Sequence, residues 1–437
     1  MTRPGGVWRN WGRTAQVRPQ RVEFPSTVAA VRRCVQAAAA RGLQVKAVGA
    51  GHSFSPIAAA PGVLVDLSDL SGLVSVDRER GRARLLAGTR LHRIPRLLAP
   101  YALAMPNLGD IDRQTIAGAV STGTHGTGDR FGGIATQVVG ATLVTADGEV
   151  LTVDEAENPE LLAAVALGLG ALGILVDITL QCVPSFTLHA LERPEPLADV
   201  VAALPERHAA VDHFEFYWFP HTEVALTKTN ARLPESAPRH RLSAPARWVD
   251  DTLLANGLYR VTCAAGAAAA PLVPPVNRLA TRLTGHREYT DQSHAVFTQR
   301  RTVRFREMEY AVPVERLAAA FGDLQALISA RRWRLSFPIE VRTAAADGLW
   351  MSTAHERDSG YIAVHRYWRE DPAEYFEAVE QVMLSHGGRP HWGKMHGLDA
   401  AQLRERYPRF ADFTALRDRL DPTRMFHNAY LDRVLGG

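Results

Sequence analysis

The sequence has few cysteines, no membrane-spanning run and little excess charge. Its three cysteines, Cys34, Cys182 and Cys263, are widely spaced and odd in number, which fits neither a disulfide framework nor a CxxC metal site and favours a reducing compartment. The longest apolar stretch, from Leu161 to Val176, is shorter than the about twenty residues of a transmembrane helix. A net charge of +4 is too small to indicate nucleic-acid binding. With no apolar run near the N-terminus to indicate a secretory signal, the sequence predicts a soluble, cytoplasmic protein.

The composition is that of an ordinary globular protein, with 46% hydrophobic and 22% charged residues over a length of 437. This length is two to three times a typical domain of about 150 residues. Strand-like and helix-like segments alternate up to about residue 184, and longer amphipathic runs with proline-rich connections follow. We therefore expect two domains, or one large domain with a cap, and a boundary near residue 184.

Local patterns predict individual elements. A helix is expected over residues 26–41, capped by Ser26 and stopped by Gly42, and the dipeptide Asp147-Gly148 predicts a tight hairpin turn with positive φ at both positions. Further helices are expected over residues 158–167 and 402–420. The predicted strands are Gln44–Val48, Val63–Leu67, Val138–Ala146, Val150–Val153, Ile174–Gln181, His213–Phe219, Arg304–Val312 and Tyr361–Tyr367.

One glycine motif matches the dinucleotide-binding pattern GxGxxG in the wrong context. It spans Gly168 to Gly173, with Gly170 as the second glycine. A Rossmann fingerprint follows a strand and opens a helix, so that the helix N-terminus meets the pyrophosphate. Here the helix-like segment precedes the glycines and the strand follows them. We interpret the motif as a close backbone packing turn, which can still contact a cofactor.

Two other loops are better candidates for ligand contact. The loop at residues 49–56 follows a strand, but Phe54 stands where a Rossmann loop needs its third glycine, so it is a different phosphate-binding loop or none. The segment Ile116–Gly128 holds four glycines with several hydroxyl groups and an imidazole. Such a segment lets the backbone approach a large polar ligand closely. The alternative, a surface linker, is disfavoured by the apolar residues at its start.

At these loops the sequence resembles the sugar-lactone oxidases, a family within the vanillyl-alcohol-oxidase flavoproteins that includes D-arabinono-1,4-lactone oxidase, L-gulonolactone oxidase and, more distantly, alditol oxidase. The resemblance rests on separated motifs in the same order and covers essentially the whole chain. The motifs are Val48–Ser55, Met105–Gly128, Gly168–Gly173, Phe305–Pro313, Pro390–Lys394 and the segment that begins at Asp421.

The resemblance implies an α+β fold with three parts. These are a two-subdomain FAD-binding domain of the PCMH type over residues 1–183, a substrate cap with an antiparallel sheet flanked by helices over 184–400, and a C-terminal segment over 401–437 that returns to the first domain. The cofactor implied is FAD, and His52 resembles the histidine that relatives commonly bond to the flavin. The alternative for His52 is a loop histidine that only hydrogen-bonds a phosphate. The other cofactor contacts implied are Gly49, Ala50, Gly51, Ser53, Gly109, Asp110, Gly118, Ser121, Gly123, Thr124, His125, Gly126 and Ile174.

The second half supplies residues for the chemistry of a flavin-dependent alcohol oxidation, which needs a proton removed and negative charge stabilised. If their segment is extended, Glu340 and Arg342 leave the same face of a strand at period two. They resemble a Glu-x-Arg pair that lines the substrate site in the alditol branch, and Lys394 resembles the lysine that completes that site. We expect these three residues to be catalytic and to contact substrate; a plain surface ion pair is the alternative for the first two. His365 is a further candidate for substrate contact or a core histidine.

The reaction implied is oxidation of a CH–OH group in a sugar 1,4-lactone by hydride transfer to flavin, with O2 as acceptor and H2O2 as product. Gly109 resembles a position where relatives with glycine are typically oxidases, and Asp110 stands where the alditol branch has serine, which favours a lactone. The alternatives are an alditol or sugar oxidase, and a lactone dehydrogenase with another acceptor. A silent flavin-binding protein is disfavoured because the catalytic candidates are present, and a hydrolase because no GxSxG motif is. His391 and His396 flank Lys394 without acidic or cysteine partners in the sequence, so we assign no metal.

Overall fold

The computed structural model describes residues 6–243, 269–283, 285–299 and 301–437. Cys263 lies outside the described residues. The strands are β1 (Trp8–Arg9), β2 (Gln16–Val17), β3 (Arg21–Glu23), β4 (Val45–Val48), β5 (Val63–Asp66), β6 (Leu73–Asp77), β7 (Arg82–Leu86), β8 (Leu103–Ala104), β9 (Val138–Val144), β10 (Val150–Asp154), β11 (Ile174–Gln181), β12 (Val183–Pro184), β13 (Phe186–Pro196), β14 (His213–Trp218), β15 (Val224–Pro234), β16 (Arg287–Gln292), β17 (Phe305–Pro313), β18 (Ile339–Ala344), β19 (Ser359–Tyr367) and β20 (Arg389–Pro390).

The α-helices of the described residues are α1 (Val28–Ala39), α2 (Ile94–Leu98), α3 (Ile116–Ser121), α4 (Leu162–Val165), α5 (Leu197–Ala202), α6 (Leu204–Ala210), α7 (Val273–Leu283), α8 (Ser293–Phe297), α9 (Leu317–Arg331), α10 (Ala373–Ser385), α11 (Ala400–Arg404), α12 (Phe410–Leu420) and α13 (Ala429–Leu435). Within the described ranges, no helix has the length and apolar character needed to cross a membrane.

Two sheets form most of the first part of the chain, beside the two-stranded pairs β1-β2 and β12-β8. A three-stranded parallel sheet has the order β3-β5-β4, and a five-stranded antiparallel sheet has the order β10-β9-β11-β7-β6. They share one apolar core with α1, with the Gly168–Gly173 region and with the C-terminal helices α11 to α13. The C-terminal segment therefore packs on the first part of the chain, and the arrangement positions the loop that follows β4.

An eight-stranded antiparallel sheet dominates the second part, in the order β16-β13-β15-β14-β18-β19-β17-β20. One face of its central strands packs on α9 and α10, because apolar side chains alternate along each strand. Phe216 of β14, Val341 of β18, Val364 of β19 and Tyr310 of β17 are all buried on that face. The alternate residues of the same four strands point to the opposite face, where the charged candidates lie.

Several predicted elements are confirmed and others are wrong in detail. The strand predicted at Ile174–Gln181 is observed with those bounds. The first helix is capped by Thr27, whose hydroxyl accepts from the Ala30 N–H, and not by Ser26. Gly42 does take a left-handed conformation after that helix, with φ of +61°. Both Ser26 and Thr27 can cap, and the choice depends on which residue takes the extended conformation.

Four further differences have local causes. At the Asp147-Gly148 hairpin only Gly148 has positive φ, and the Asp147 carboxylate accepts from the Glu149 N–H, so the loop is longer than a two-residue turn. The helix predicted over 402–420 is divided into α11 and α12, with Pro408 between them. The Ile116–Gly128 segment, interpreted as a loop, begins with α3, whose apolar residues are buried. The predicted helix over 158–167 is shortened to a 3-10 turn and α4.

Candidate active site

Two cavities meet beside the loop that follows β4. The first, of about 1000 Å³ with the open solvent at its mouth included, lies in the first part of the chain, and we call it the glycine-walled cavity. The second, of about 750 Å³ on the same basis, lies against the eight-stranded sheet, and we call it the charged cavity. Four residues line both cavities and are shared between them: His52, Ser53, Gln114 and Thr122. The two cavities therefore form one continuous site with its junction at His52.

Peptide groups make the wall of the glycine-walled cavity at the β4 loop. The backbone turns at Gly51, whose φ is +67°, and among the described residues the N–H groups of residues 50–53 have no protein acceptor. A Cβ on Gly49 would overlap the hydroxyl of Thr115, which caps α3. Successive free N–H groups in a turn of this kind form a concave site for an anion. The loop thus has the geometry expected of a phosphate cradle.

The other end of the glycine-walled cavity is apolar apart from one amine. Leu143, Val165 and Leu172 line it together with the Gly168–Gly173 turn. Lys46 is buried there and donates to the carbonyl oxygens of Gly170 and Phe426 at 2.7 and 3.0 Å. Burial lowers the pKa of Lys46 to about 7, although the charge of Asp421 acts in the opposite direction. This end can hold a flat apolar ring system near a single cation.

His52 stands at the junction as a neutral imidazole. Burial, together with the charges of Arg90, Arg113 and Lys394, lowers the pKa of His52 to about 4. Its ring stacks on Trp11 with a centroid distance of 5.9 Å and an interplanar angle of 28°. At neutral pH the side chain therefore keeps a lone pair on one ring nitrogen, which is the state needed for a nucleophile.

The charged cavity is built on the face of the large sheet that the helices leave open. In register, Tyr217 of β14 lies opposite Glu340 of β18, and Glu340 lies opposite Ala363 of β19. Glu307 of β17 lies opposite His365 of β19. These pairings come from strands distant in sequence, and the order β14-β18-β19-β17 brings their polar side chains into one patch.

Arg342 is the centre of a buried ionic network. Its guanidinium contacts the carboxylates of Asp110 at 2.7 Å and Glu215 at 2.8 Å, and it also pairs with Glu340. Burial favours the neutral form of Arg342, but these carboxylates outweigh it and raise the pKa of Arg342 well above its ordinary value.

Arg301 and Lys228 add two further cations to the same network. Arg301 contacts Asp110 at 2.5 Å, and Lys228 contacts Glu215 at 3.3 Å. Three cations thus face three carboxylates. Burial raises the pKa of Glu340, and the neighbouring Asp110 adds to the shift although Arg342 opposes it. Glu340 therefore takes up a proton more readily than Asp110, whose pKa is lowered by Arg342 and Arg301 despite its burial.

A second network surrounds Lys394. Its ammonium lies 2.5 Å from Glu307 and 3.8 Å from Glu309, which are two residues apart on β17. Burial disfavours the charged amine, but the two carboxylates outweigh it and raise the pKa of Lys394. The loop of Lys394 is fixed on the β4 loop, because the Phe54 N–H donates to the Gly393 carbonyl at 2.6 Å. Lys394 is thereby held as a cation close to His52.

His125 and Glu309 form a buried pair in this network. The Nδ1 of His125 faces the Gly126 carbonyl at 2.8 Å and must donate to it, because a carbonyl oxygen can only accept. Its Nε2 faces the Glu309 carboxylate at 3.3 Å. Burial favours the neutral form of Glu309, yet the charges of His125 and Lys394 hold the pKa of Glu309 well below its ordinary value.

The sequence-based argument that His391 lacks an acidic neighbour is wrong. His391 lies with His125 and Glu309 in a group whose ligand atoms are within 4.8 Å of one another, because β17 supplies the carboxylate from a distant part of the sequence. The group is nonetheless arranged for hydrogen bonding. The Nδ1 of His391 accepts from the Gly393 N–H, and the Lys394 ammonium lies beside Glu309. A second acidic group, Asp110, Glu215 and Glu340, is neutralised by the cations around Arg342.

The structure places most of the sequence-predicted site residues on the two cavities. Gly49, Ala50, Gly51, His52, Ser53, Gly118 and Ser121 line the glycine-walled cavity. Gly109, Asp110, Thr124, His125, Glu340, Arg342, His365 and Lys394 line the charged cavity, together with His52 and Ser53. Three predicted cofactor contacts, Gly123, Gly126 and Ile174, line neither cavity. A Cβ on Gly126 would overlap the carbonyl of Leu108, and Ile174 is buried in the core, so both have packing roles.

Sequence reasoning missed several residues of the site. Glu307 and Glu309 had a detectable signal, because two acids at period two lie in a predicted strand. Glu215 and Tyr217 lie in another predicted strand, but nothing in the sequence pairs β14 with β18. Other site residues that were not predicted include Trp11, Lys46, Gln114, Lys228 and Arg301.

Two family models match most of this chain, and known relatives match nearly all of it. The family described as D-arabinono-1,4-lactone oxidase matches residues 178–434, and the family described as FAD binding domain matches residues 19–154. The chain is 41% identical to an L-gulono-1,4-lactone dehydrogenase of Mycobacterium tuberculosis, over 98% of this chain and 99% of that protein. It is 34% identical to the L-gulonolactone oxidase of Bos taurus, over 98% of each. The fold is similar to that of a cholesterol oxidase from B. sterolicum, with a TM-score of 0.81, 18% identity and coverage of 98% and 96%.

Proposed function

The chain belongs to the D-arabinono-1,4-lactone oxidase family, and from this premise we propose that it is an FAD-dependent enzyme that oxidises a CH–OH group of a sugar 1,4-lactone. The observation that carries the proposal is the junction at His52, where a cavity walled by peptide groups opens onto a cavity lined by charged side chains. A dinucleotide would occupy the first cavity and a polyhydroxylated substrate the second.

The residues present fit FAD. The free N–H groups of residues 50–53 suit a pyrophosphate, the apolar end near Leu143 and Leu172 suits an adenine ring, and Lys46 offers a cation to an anionic ligand. When bound, FAD would accept the hydride from the substrate carbon and later return electrons to an acceptor. Side chains larger than hydrogen at Gly49 or Gly173 would collide with the surrounding protein. The glycines thus keep the wall thin enough for close backbone approach.

We further propose that FAD is attached covalently to His52. Support comes from the position of His52 on both cavities and from its neutral state, since its pKa is lowered to about 4. An imidazole that is unprotonated at neutral pH can form a bond through its free nitrogen, whereas an imidazolium cannot. Stacking on Trp11 holds the ring in place.

The charged cavity supports roles for Glu340, Arg342 and Lys394 in the oxidation. The substrate hydroxyl loses a proton as the carbon loses hydride, so negative charge develops on the oxygen. Arg342 is a buried cation and Lys394 a partly buried one, and both would stabilise this charge. Glu340 would accept or orient the proton, because burial raises its pKa and so favours the protonated product state. Asp110 and His365 line the same cavity and would contact the remaining hydroxyl groups.

We propose O2 as the electron acceptor, with H2O2 as the product, and a non-oxygen acceptor as the alternative. The relatives do not decide this point, because the two reported above are named as a dehydrogenase and an oxidase. Gly109 lines the charged cavity, which supports an open approach to the flavin. A Cβ there would also lie 2.8 Å from the His125 carbonyl, so packing alone gives a reason for glycine at this position.

The domain assignment and location follow the same proposal. The FAD-binding domain would comprise residues 1–183, the substrate cap residues 184–400 and the returning segment residues 401–437. Contacts of α11 to α13 with the first core support the last assignment. A cytoplasmic location is supported by Cys34 and Cys182, which are both free thiols.

The first test is the colour of the protein after acid precipitation. The purified protein should be yellow, and its pellet should stay yellow because the flavin is covalently attached. His52→Ala should bind flavin but release it to the supernatant on acid treatment, whereas the surface control His189→Ala should behave like the wild type. Colourless protein that cannot be loaded with flavin would overturn the function, and a yellow acid pellet from His52→Ala would overturn the attachment site.

Anaerobic mixing with aldonolactones, polyols and sugars then identifies the substrate class. Bleaching of the flavin by 1,4-lactones in preference to open polyols is the expected result. Oxygen or an artificial acceptor added to the bleached protein distinguishes an oxidase from a dehydrogenase. Bleaching by polyols but not by lactones would replace the proposed substrate with an alditol.

A further inference from the structure

Lysine is scarce in this protein, and every lysine is placed in the interior. The sequence has only three, Lys46, Lys228 and Lys394, so arginine supplies nearly all of its fifty basic residues. Lys46 and Lys228 are buried, and the side chain of Lys394 is only 21% exposed. A surface role is thus excluded for each of them. A buried amine needs an anionic partner to stay charged, and the partner of Lys394 has no assigned function.

That partner is Glu307 on β17. Its carboxylate lies 2.5 Å from the Lys394 ammonium and 3.5 Å from Nε2 of His365. Glu307 is itself buried, with 5% exposure, and its side chain points into the charged cavity. Burial favours the neutral acid, but Lys394 and His365 outweigh it and lower the pKa of Glu307 to about 2. The carboxylate is therefore a permanent anion within the site.

Backbone bonds fix both ends of the Lys394 loop on the same strand. The Met395 N–H donates to the Glu307 carbonyl at 3.0 Å, and the His391 N–H donates to the Glu309 carbonyl at 3.0 Å. Glu307 thus holds the loop through its main chain and the ammonium through its side chain. The reach of Lys394 into the cavity is set by this double attachment.

We propose that Glu307 is a positioning residue, which holds Lys394 at a fixed reach and in its charged form beside the reacting hydroxyl. The inference rests on the proposed function of Lys394 as a stabiliser of negative charge. It assigns to Glu307 neither contact with the reacting atoms nor acceptance of the substrate proton. The proposal predicts that removal of the Glu307 carboxylate lowers the pKa of Lys394, so that the ammonium loses its proton within an accessible pH range.

Several other groups face the Lys394 ammonium, and they determine how much of the stabilisation of its charge remains when Glu307 is removed. The titratable groups on the elements around Lys394 are Glu307, Glu309, Glu340, His52, His365 and His391. Glu309 stays 3.8 Å away and already compensates His125, so it replaces Glu307 only in part. The Phe54 ring, 5.6 Å from the Lys394 nitrogen, adds a weak attraction. The loss of charge in Glu307→Gln should therefore be marked.

The small number of lysines makes a direct test possible. Protein grown with lysine carrying ¹³C at the ε position gives three signals, which Lys→Arg variants assign, and each signal moves when its amine titrates. In flavin-loaded wild type the Lys394 signal should stay that of an ammonium up to at least about pH 10. In Glu307→Gln it should titrate at about pH 8 or below, at least about two pH units lower than in the wild type. Glu195→Gln, which removes the partner of Arg207 elsewhere, should leave all three signals unchanged.

Flavin reduction by substrate gives the functional half of the test. Glu307→Gln should be reduced at nearly the wild-type rate at about pH 6 and at least about tenfold more slowly at about pH 9, because only the protonated amine stabilises the developing charge. Glu307→Asp keeps the anion but shortens its reach. It should keep the Lys394 titration of the wild type and lower the rate by a similar factor at both pH values.

Each outcome bears on a separate statement. An unchanged Lys394 titration in Glu307→Gln would overturn the charge-holding role, and an unchanged rate at about pH 9 would overturn its importance for the reaction. If Glu307→Gln does not fold, the aspartate variant still tests reach, and wild-type kinetics in it would overturn the positioning role. If no lactone reduces the wild type, the proposed function fails while the lysine titration still tests the charge-holding role.

Discussion

The glycine-walled cavity and the charged cavity meet at His52 but are built from different parts of the chain. Peptide groups of the loop at residues 49–53 and of the Gly168–Gly173 turn line the first, so its shape depends on the absence of side chains. Charged side chains that project from strands line the second, and its shape depends on their mutual pairing. The first should therefore be sensitive to added volume and the second to altered charge.

The difference also extends to how each cavity is supported. Around Arg342, three carboxylates and three cations balance within a buried network, so removal of one member leaves its partners uncompensated. Around Gly173 there is no charge to balance, but the backbone has φ of +152°, which other residues rarely adopt. A substitution that adds volume and one that removes charge should therefore have different effects in the two cavities.

The largest expected effect comes from adding a methyl group to the wall of the glycine-walled cavity. In Gly173→Ala the new Cβ would lie 2.7 Å from the Val144 carbonyl, at a backbone angle that disfavours alanine. We expect little or no folded protein with flavin, measured by soluble yield and by the ratio of flavin to protein absorbance. The matched control is Gly322→Ala in the middle of α9, where a Cβ meets nothing within 4 Å. Normal flavin content in Gly173→Ala would show that the wall tolerates volume.

Removal of a charge from the charged cavity should give the next largest effect. Arg342→Met keeps much of the side-chain volume but leaves Asp110, Glu215 and Glu340 with one cation fewer, at a stability cost of about 3–5 kcal/mol. We expect flavin to stay bound and anaerobic flavin reduction to slow by at least about a hundredfold. Arg207→Met, which breaks an ion pair outside both cavities, should reduce flavin at the wild-type rate. Near-normal reduction in Arg342→Met would remove Arg342 from the mechanism.

The sequence predicted the glycine-walled side more completely than the charged side. The loop after β4 is a local feature, so its glycines and His52 are read from contiguous residues. Glu340 and Arg342 were predicted because both lie on one strand at period two. Glu215, Tyr217, Glu307 and Glu309 come from β14 and β17, which join the site only through the pairing order of the large sheet.

The fold shows the same division between local and non-local information. The strand at Ile174–Gln181 was predicted with its observed bounds because it is an uninterrupted, mostly apolar run. The helix expected over 402–420 was wrong because Pro408 lies inside it, and the chain forms two helices, one ending at Arg404 and one beginning at Phe410. The acidic neighbour of His391 could not be predicted, because Glu309 reaches it across the sheet from more than eighty positions away in the chain.

The smallest expected effect is a change of pH, which acts on the charged cavity without altering its composition. Burial places the pKa of Glu340 above its ordinary value of 4.5, so acidification protonates it within an accessible range. If the ionised carboxylate accepts the substrate proton, flavin reduction should slow as pH falls through that raised pKa, by about tenfold for each pH unit below it. Glu340→Gln should be slow throughout and lose this dependence. An unchanged pH profile in that variant would assign the titration to another group.

The same acidification should leave the glycine-walled cavity intact, which sharpens the contrast between the two. Its peptide N–H groups do not titrate, and its amine, Lys46, has a pKa of about 7. Lower pH therefore makes Lys46 more positive, which favours retention of an anionic dinucleotide. Flavin fluorescence in the filtrate, measured over the same pH range in His52→Ala, should stay constant or fall. Release of flavin on acidification would show that a titrating group other than Lys46, and not backbone shape, governs cofactor binding in this cavity.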